Sequence, residues 1–156
     1  MVTLEPMSPE TWRAWRAAAI EAHARDMVDR GHWPAEGAED RSAKEMESLM
    51  PEGQATPGHS VFSIVSDQGQ TVGSVWVATE ARTGNGSLFI WDLLIHPGFR
   101  GQCFGRATME ALEPFARAVD CTTIQLHVFG SNEVARNLYR SSGYTETDIV
   151  MLKYVG

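Results

Sequence analysis

Lysine is scarce in this chain: Lys44 and Lys153 are the two lysines among 156 residues, and the formal net charge is −7. Proteins that bind nucleic acid neutralise its phosphates with clustered Lys and Arg side chains. The composition therefore argues against a nucleic-acid partner. The acidic excess is better suited to a cationic substrate.

Cysteines and long apolar runs are also few. Cys103 and Cys121 are too few for a disulfide framework and lack the spacing of metal ligands, so we expect free thiols, no metal and a cytoplasmic protein. No apolar run reaches the length of a membrane span, and the N-terminus lacks the charged and apolar regions of a secretory signal. We expect no membrane partner.

The remaining composition is that of a globular protein, with 43% hydrophobic and 21% charged residues. The length and the absence of a linker or repeat predict a single domain over residues 1–156. Apolar periodicity and turn residues predict the following order of elements: strand 2–6, helix from Ser8-Pro9 to about 30, helix 39–50, strands 59–66, 71–80 and 86–95, helix 102–119, strand 123–128, helix 132–142, and a last strand or hairpin over 144–154.

One strand-helix-strand unit spans residues 86–128 and predicts a pair of parallel strands. The turn after its first strand contains Arg100, Gly101, Gly105 and Arg106. A helix N-terminus presents unpaired N–H groups and a partial positive charge, and glycines let an anion approach the backbone closely. The sequence therefore predicts a diphosphate site at residues 99–106.

The spacing within that turn resembles the acetyl-CoA-binding motif of the GNAT superfamily of N-acetyltransferases, Gln/Arg-x-x-Gly-x-Gly/Ala. Arg100 begins the motif and Gly105 ends it, whereas Cys103 occupies the place of the usual first glycine. Either the turn is slightly wider here or the Cβ of Cys103 points away from the phosphates.

A second stretch is similar to the other landmark of that family, Asn-x-x-Ala-x-x-x-Tyr on a helix that follows a strand. Asn132, Ala135 and Tyr139 match it, and Gly143-Tyr144 matches its ending. Seven residues separate Asn132 from Tyr139, which is about two helical turns, so both can share one face.

The resemblance implies the GNAT fold class: α/β, with a mixed, mostly antiparallel twisted sheet, a central parallel strand-helix-strand unit and helices on both faces. It also implies a sheet splayed between the two parallel strands to admit pantetheine. It implies acetyl-CoA as cosubstrate and direct transfer of the acetyl group to an amine in a ternary complex. The implied cofactor-binding residues are Leu93, Leu94 and Ile95 on a bulged strand, Arg100, Gly101, Gln102, Cys103, Phe104, Gly105 and Arg106 in the turn, and Asn132.

Acetyl transfer to an amine is assisted by a base that removes a proton from the amine and by an acid that protonates the leaving thiolate. A primary amine is almost fully protonated at pH 7, so a general base or a water relay is useful. Asp92, which interrupts an apolar strand, and His127 on the next strand are equal candidates for the base. Tyr139 is implied as the donor of a proton to the leaving thiolate.

Three interpretations of function remain open. The first is an acetyl-CoA-dependent N-acetyltransferase acting on the primary amine of a small molecule. The second is a catalytically silent acyl-CoA-binding regulatory domain, to which Cys103 points. The third is an enzyme acting on a peptide or protein amine. Dimers are frequent in the family, so a homodimer is among the states to expect.

Overall fold

The computed structural model describes residues 1–79 and 86–156. Its elements follow the predicted order as far as α4. They are β1 (Val2–Pro6), α1 (Pro9–Asp29), α2 (Ala38–Leu49), β2 (His59–Ser66), β3 (Thr71–Ala78), β4 (Ser87–Ile95), α3 (Phe104–Ala118), β5 (Thr123–Leu126) and α4 (Glu133–Ser141).

The local sequence explains several of these boundaries. The Ser8 Oγ accepts a hydrogen bond of 3.1 Å from the Thr11 N–H, and Pro9 occupies the first turn, so α1 begins where the Ser-Pro pair predicted. Gly69, with φ of 74°, permits the tight turn between β2 and β3. The predicted strand 71–80 ends at Ala78, and its last residue, Glu80, lies outside the described residues.

The sheet has the order β1-β2-β3-β4-β5. The first four strands are antiparallel neighbours, and β5 is parallel to β4. This confirms the mixed, mostly antiparallel sheet with one parallel strand-helix-strand unit.

Helices cover both faces of the sheet. One buried cluster includes Leu88, Met109 and Leu112 and joins the sheet to α3. The other includes Ile20, Met46 and Trp76 and joins it to α1 and α2, with Trp12 and Trp15 packed against it. The fold class predicted from the sequence is therefore confirmed.

β4 is buried only along its first half, although its sequence is almost continuously apolar. Ser87 to Ile90 are buried, whereas Trp91 to Ile95 are partly exposed. The reason is the pairing of β5, which extends along β4 only from Ser87 to Ile90. The most continuously buried strand is β3.

The C-terminal segment is the largest departure from the predicted elements. Residues 144–154 were expected to form a strand or hairpin, but residues 144–156 contain no regular secondary structure. A strand requires a neighbouring strand for its backbone hydrogen bonds, and none of the described strands pairs with this segment. The prediction of a strand within this chain is wrong.

Candidate active site

A cleft opens where β4 and β5 part. Strand pairing stops at Ile90 and Leu126, after which β4 continues while the chain beyond β5 turns toward α4. The residues that line the cleft come from β4, from the chain at the end of β5, and from α4. They are Ile90, Trp91, Asp92, Leu93, Leu126, His127, Val128, Phe129, Asn132, Ala135 and Tyr139. The sheet is thus splayed at the predicted place.

β4 contains an irregularity beside the cleft. Asp92 is opposite Trp76 and Ile90 is opposite Val77, so Trp91 is an extra residue on β4. Such a bulge bends a strand and redirects its side chains. The family resemblance implied a bulge at Leu93 to Ile95, but those three residues pair regularly with β3. The bulge therefore lies two residues earlier than expected. Of the three, Leu93 lines the cleft, whereas Leu94 and Ile95 lie beyond it along β4.

The turn between β4 and α3 leaves its backbone available. Gly101 and Cys103 both have positive φ, 73° and 65°. No side chain caps the first turn of α3, which begins at Phe104 rather than at the predicted Gln102. Uncapped N–H groups at the start of a helix, preceded by left-handed residues, form a concavity that favours an anion.

Cys103 adopts the conformation that glycine takes in such turns. Its φ of 65° and ψ of 10° lie in the left-handed region, which costs a residue with a Cβ roughly 1–2 kcal/mol. Its side chain is exposed. The turn is therefore made in the glycine conformation, and the Cys103 side chain is exposed.

The other side chains of this turn mostly hold the backbone in place. The Arg100 Nε donates to the Ile95 carbonyl at 3.1 Å, and the Gln102 Nε2 donates to the Gly98 carbonyl at 3.1 Å. The Phe104 ring packs edge-on against Phe99 and against the core. These contacts hold the turn in place and leave its main-chain N–H groups available to a ligand.

Arg106 and Gly105 join α3 to α4. The Arg106 guanidinium donates to the Ser141 Oγ at 3.0 Å, so its charge is directed toward α4. A Cβ on Gly105 would lie 3.0 Å from the Leu138 Cδ2. The absence of a side chain at Gly105 is therefore explained by close packing of the two helices.

Asp92 is the acidic group of the cleft. Burial raises the pKa of its carboxyl; the hydrogen bond from the Leu93 N–H and the charge of His23 act in the opposite direction but are smaller. A carboxylate with a raised pKa accepts protons more readily than an exposed one.

Tyr139 lies on the α4 side of the same cleft. Burial raises the pKa of its phenol, and the negative charge of Asp92 raises it further. The phenol therefore keeps its proton throughout the neutral range. Tyr144, whose ring centre is 5.9 Å from that of Tyr139, has a pKa raised to about 12 by burial first and then by Tyr139 and Glu113.

The two remaining predicted residues also line the cleft. His127 is exposed, and its ring contacts Phe129 edge-on. The Asn132 Oδ1 accepts a hydrogen bond of 3.2 Å from the Ala135 N–H and so caps α4. The cap occupies the side-chain oxygen of Asn132 but not its NH₂ group.

His23 does not line the cleft but acts on its acid through charge, and the sequence analysis did not predict this. Its charge lowers the pKa of Asp92, and its Nε2 lies 3.0 Å from the Glu45 Oε2. Its ring contacts Trp33 edge-on, with ring centres 5.4 Å apart. Its spacing of eight residues from Trp15 on one helix was the available signal, because residues four apart lie on one face.

Comparison with known proteins is consistent with this geometry. The family model described as Acetyltransferase (GNAT) family matches residues 12–144. The chain is 32% identical to the uncharacterized N-acetyltransferase YycN of Bacillus subtilis (strain 168), over 97% of each chain, and 30% identical to YdgE of the same organism, over 97% of this chain and 96% of YdgE.

Solved structures share the fold. The crystal structure of YycN matches with a TM-score of 0.90 over 99% of both chains. The structure of AAC(6')-Iy in complex with the bisubstrate analogue CoA-S-monomethyl-acetylneamine matches with a TM-score of 0.66 at 14% identity, over 100% of this chain and 99% of that one. At that identity the likeness concerns the fold. No helix in the described part of the chain is long and apolar enough to cross a bilayer. The family match and the relatives together show that this chain belongs to the GNAT acetyltransferase family.

Proposed function

We propose that this protein transfers an acetyl group from acetyl-CoA to the primary amine of a small molecule, directly and within a ternary complex. The observation that carries the proposal is the combination of an uncapped, glycine-type turn before α3 with a cleft that contains a buried acid and a phenol. The CoA-derived analogue bound to the similarly folded AAC(6')-Iy supports the choice of cofactor.

The residues of the turn fit a diphosphate. The N–H groups around Gly101, Cys103 and the first turn of α3 would hold it, while Arg100 adds positive charge nearby. Leu93 and the Asn132 NH₂ group would bind the pantetheine arm in the cleft. Acetyl-CoA would supply a thioester carbonyl, and main-chain N–H groups of the irregular part of β4 would donate hydrogen bonds to its oxygen.

We infer that Asp92 accepts the proton of the acceptor amine. Its carboxyl is largely buried and has a raised pKa, whereas His127 is exposed at the rim. Both residues line the cleft, so His127 remains the second candidate. Tyr139, which keeps its proton at neutral pH, would donate it to the departing thiolate.

The acceptor side of the cleft favours an amine with additional positive charge. Asp92 lies in the cleft, and His23, whose charge acts on Asp92, brings a second acid, Glu45, and the ring of Trp33 into the same region. An acid next to aromatic rings binds cations well. A peptide or protein amine is the other acceptor class to be compared.

A catalytically silent acyl-CoA-binding domain was suggested by Cys103. Because Cys103 keeps the left-handed conformation and an exposed side chain, it gives that alternative no structural support. Consumption of the thioester separates the two functions directly.

The test is release of free CoA thiol from acetyl-CoA in the presence of polyamines, amino acids, aminoglycosides and short peptides. The proposal predicts amine-dependent thiol release that is fastest with a small cationic amine. Binding of acetyl-CoA without turnover on any acceptor would support the silent domain instead.

Three further predictions accompany this proposal: residues 1–156 form one domain, the protein needs no metal, and it is located in the cytoplasm. A homodimer is proposed as well, as is frequent in the family.

A further inference from the structure

A cluster of side chains around the Phe129 ring joins the end of α1 to the chain between β5 and α4. The guanidinium carbon of Arg30 lies 3.8 Å from the centre of that ring. The ring of His32 is inclined to it by 22°, with centres 6.4 Å apart, and the ring of His127 contacts it edge-on. A guanidinium over an aromatic face is attracted to the negative charge of the π system. The cluster therefore connects two parts of the chain that are far apart in sequence.

Arg30 is oriented by its other contacts. Its Nε donates a hydrogen bond of 2.8 Å to the Asp26 Oδ1, one turn earlier on α1, and the pair is an ion pair. Its Nη1 lies 3.5 Å from the Ser131 Oγ, just beyond Phe129. A guanidinium is planar, so contacts at several of its edges fix the plane that stacks on the ring. Arg30 therefore holds Phe129 from the α1 side.

The backbone of Phe129 is held from the α4 side. Its carbonyl accepts a hydrogen bond of 2.9 Å from the Asn132 N–H. The carbonyl of the next residue, Gly130, accepts one of 2.9 Å from the Arg136 guanidinium. The ring nevertheless remains 36% exposed and lines the cleft. Phe129 is thus an apolar wall of the cleft that is supported from two sides.

This wall lies where the acceptor would approach. α3 covers one face of the sheet, and α1 and α2 cover the other. The diphosphate is proposed to bind at the start of α3, so the cofactor would enter from the α3 side. In a direct transfer the amine has to reach the thioester from a position that the cofactor leaves open. The side of α1, to which Arg30 ties Phe129, is that position.

The cleft bounded by this wall is small. Its volume is about 140 Å³, whereas clefts that bind drug-sized ligands measure roughly 300–1,000 Å³. A linear amine needs little width, while a peptide brings a main chain and neighbouring side chains. With the ring fixed, the cleft suits the smaller acceptor.

We propose that Arg30 is a positioning residue that holds the Phe129 ring on the acceptor side of the cleft, and that this ring restricts the acceptor to a small amine. The inference rests on the proposed acetyl transfer and decides between its two acceptor classes. Arg30 is not among the described residues that line the cleft, so it acts through Phe129.

The test compares putrescine with a lysine-containing pentapeptide as acceptors. The wild-type chain is expected to favour putrescine at least tenfold in kcat/KM. Arg30→Ala should reduce this preference at least tenfold, through a lower KM for the peptide, because the ring is free to move aside. The dissociation constant of CoA, measured by calorimetric titration, should stay within twofold. A merely structural role would lower the melting temperature and leave the ratio of the two acceptor KM values unchanged.

Arg25→Ala is the matched control. Arg25 also lies on α1 and pairs with a carboxylate one turn earlier, that of Glu21. It lies five residues before Arg30 and therefore points to a different side of the helix. Arg25→Ala should keep the wild-type preference and the wild-type CoA affinity.

Two further variants keep the test decisive. Phe129→Ala removes the ring itself and should reduce the preference at least as much as Arg30→Ala. Arg30→Lys keeps a charge for Asp26 but lacks the planar group, so its preference should be intermediate. If Arg30→Ala fails to fold, Arg30→Lys decides the question in its place.

The inference is overturned if the wild-type preference persists in Arg30→Ala and Phe129→Ala, if Arg25→Ala changes it equally, or if the wild type favours the peptide. In each of these cases the thioester is consumed and the proposed function stands. If the wild type uses neither putrescine nor the peptide, the inference fails, and the wider acceptor panel decides the proposed function separately.

Discussion

Cys103 combines a left-handed backbone with a side chain other than glycine. We expect Cys103→Gly to retain CoA affinity, because glycine adopts this φ without strain. Cys103→Val should unfold at lower urea concentration than Cys103→Gly, by about 1–2 kcal/mol, since a β-branched side chain tolerates positive φ poorly. It should also bind CoA at least tenfold more weakly in calorimetric titration. Equal CoA affinity of the two variants would show that the turn does not contact the cofactor.

We expect the ionised Asp92 carboxylate to lower the stability of the fold and to accept a proton in the reaction. Burial raises the pKa of Asp92 in the folded state, so the folded protein binds its proton more tightly than the unfolded chain does. Its favourable contribution is present at low pH and is lost as pH rises through the folded pKa. Asp92→Asn should therefore raise the melting temperature at pH 7, and the gain should shrink toward acid pH.

The same substitution should lower kcat by about 10²-fold or more, the usual contribution of a general base. The acidic limb of the wild-type pH profile should lie above the range of an ordinary aspartate and should disappear in Asp92→Asn. Asp67→Asn, in the exposed turn between β2 and β3, is the control and should change neither kcat nor the acidic limb of the pH profile. If Asp92→Asn keeps the full rate, Asp92 is not the general base, and His127 or a water molecule accepts the proton instead.

Tyr139 and Tyr144 provide a matched pair of phenols. Tyr139→Phe should lower kcat by about 10²-fold while leaving the KM for acetyl-CoA within a few fold, because the lost proton is needed in the transition state. Tyr144 has a buried hydroxyl with no hydrogen-bond partner among the described residues. Tyr144→Phe should therefore keep its activity and lose no stability. Equal kcat losses in the two variants would indicate a packing effect rather than proton donation.

Among the secondary-structure elements, α4 is capped by Asn132, and we propose that the same residue binds the cofactor. Asn132→Ala removes the helix cap and should cost about 1 kcal/mol in the free energy of unfolding. Asn132→Asp keeps the capping oxygen and should preserve stability, but it replaces the NH₂ donor with a negative charge. If the NH₂ group binds the cofactor, Asn132→Asp should weaken CoA binding without weakening the fold. Unchanged CoA affinity in Asn132→Asp would limit Asn132 to the cap.

The elements were predictable from the sequence where the signal is local. The Ser8-Pro9 start of α1, the turn at Gly69 and the order of strands follow from capping, turn chemistry and apolar runs. The bulge at Trp91 and the early end of β5 were not predicted, because strand register depends on the neighbouring strand rather than on the strand's own residues.

In the complete fold, the residues that line the cleft were predicted from the sequence more successfully than the residues that pack around it. Asp92, His127, Asn132 and Tyr139 do line one cleft, although they come from three separate stretches of chain. His23 was missed because its proximity to Asp92 arises from the packing of α1 on the sheet. The C-terminal segment was predicted to be a strand from its composition, but residues 144–156 contain no regular secondary structure, because a strand also needs a pairing partner that composition does not reveal.

The central claim is that CoA binds through the backbone of the β4–α3 turn and through the splayed cleft. Titration of the ¹⁵N-labelled protein with CoA, followed by amide NMR, tests it most directly. The account predicts saturable shifts that are largest at the amides of residues 101–106, with a second group at residues 126–139. No shift, or shifts confined to other parts of the protein, would contradict the account.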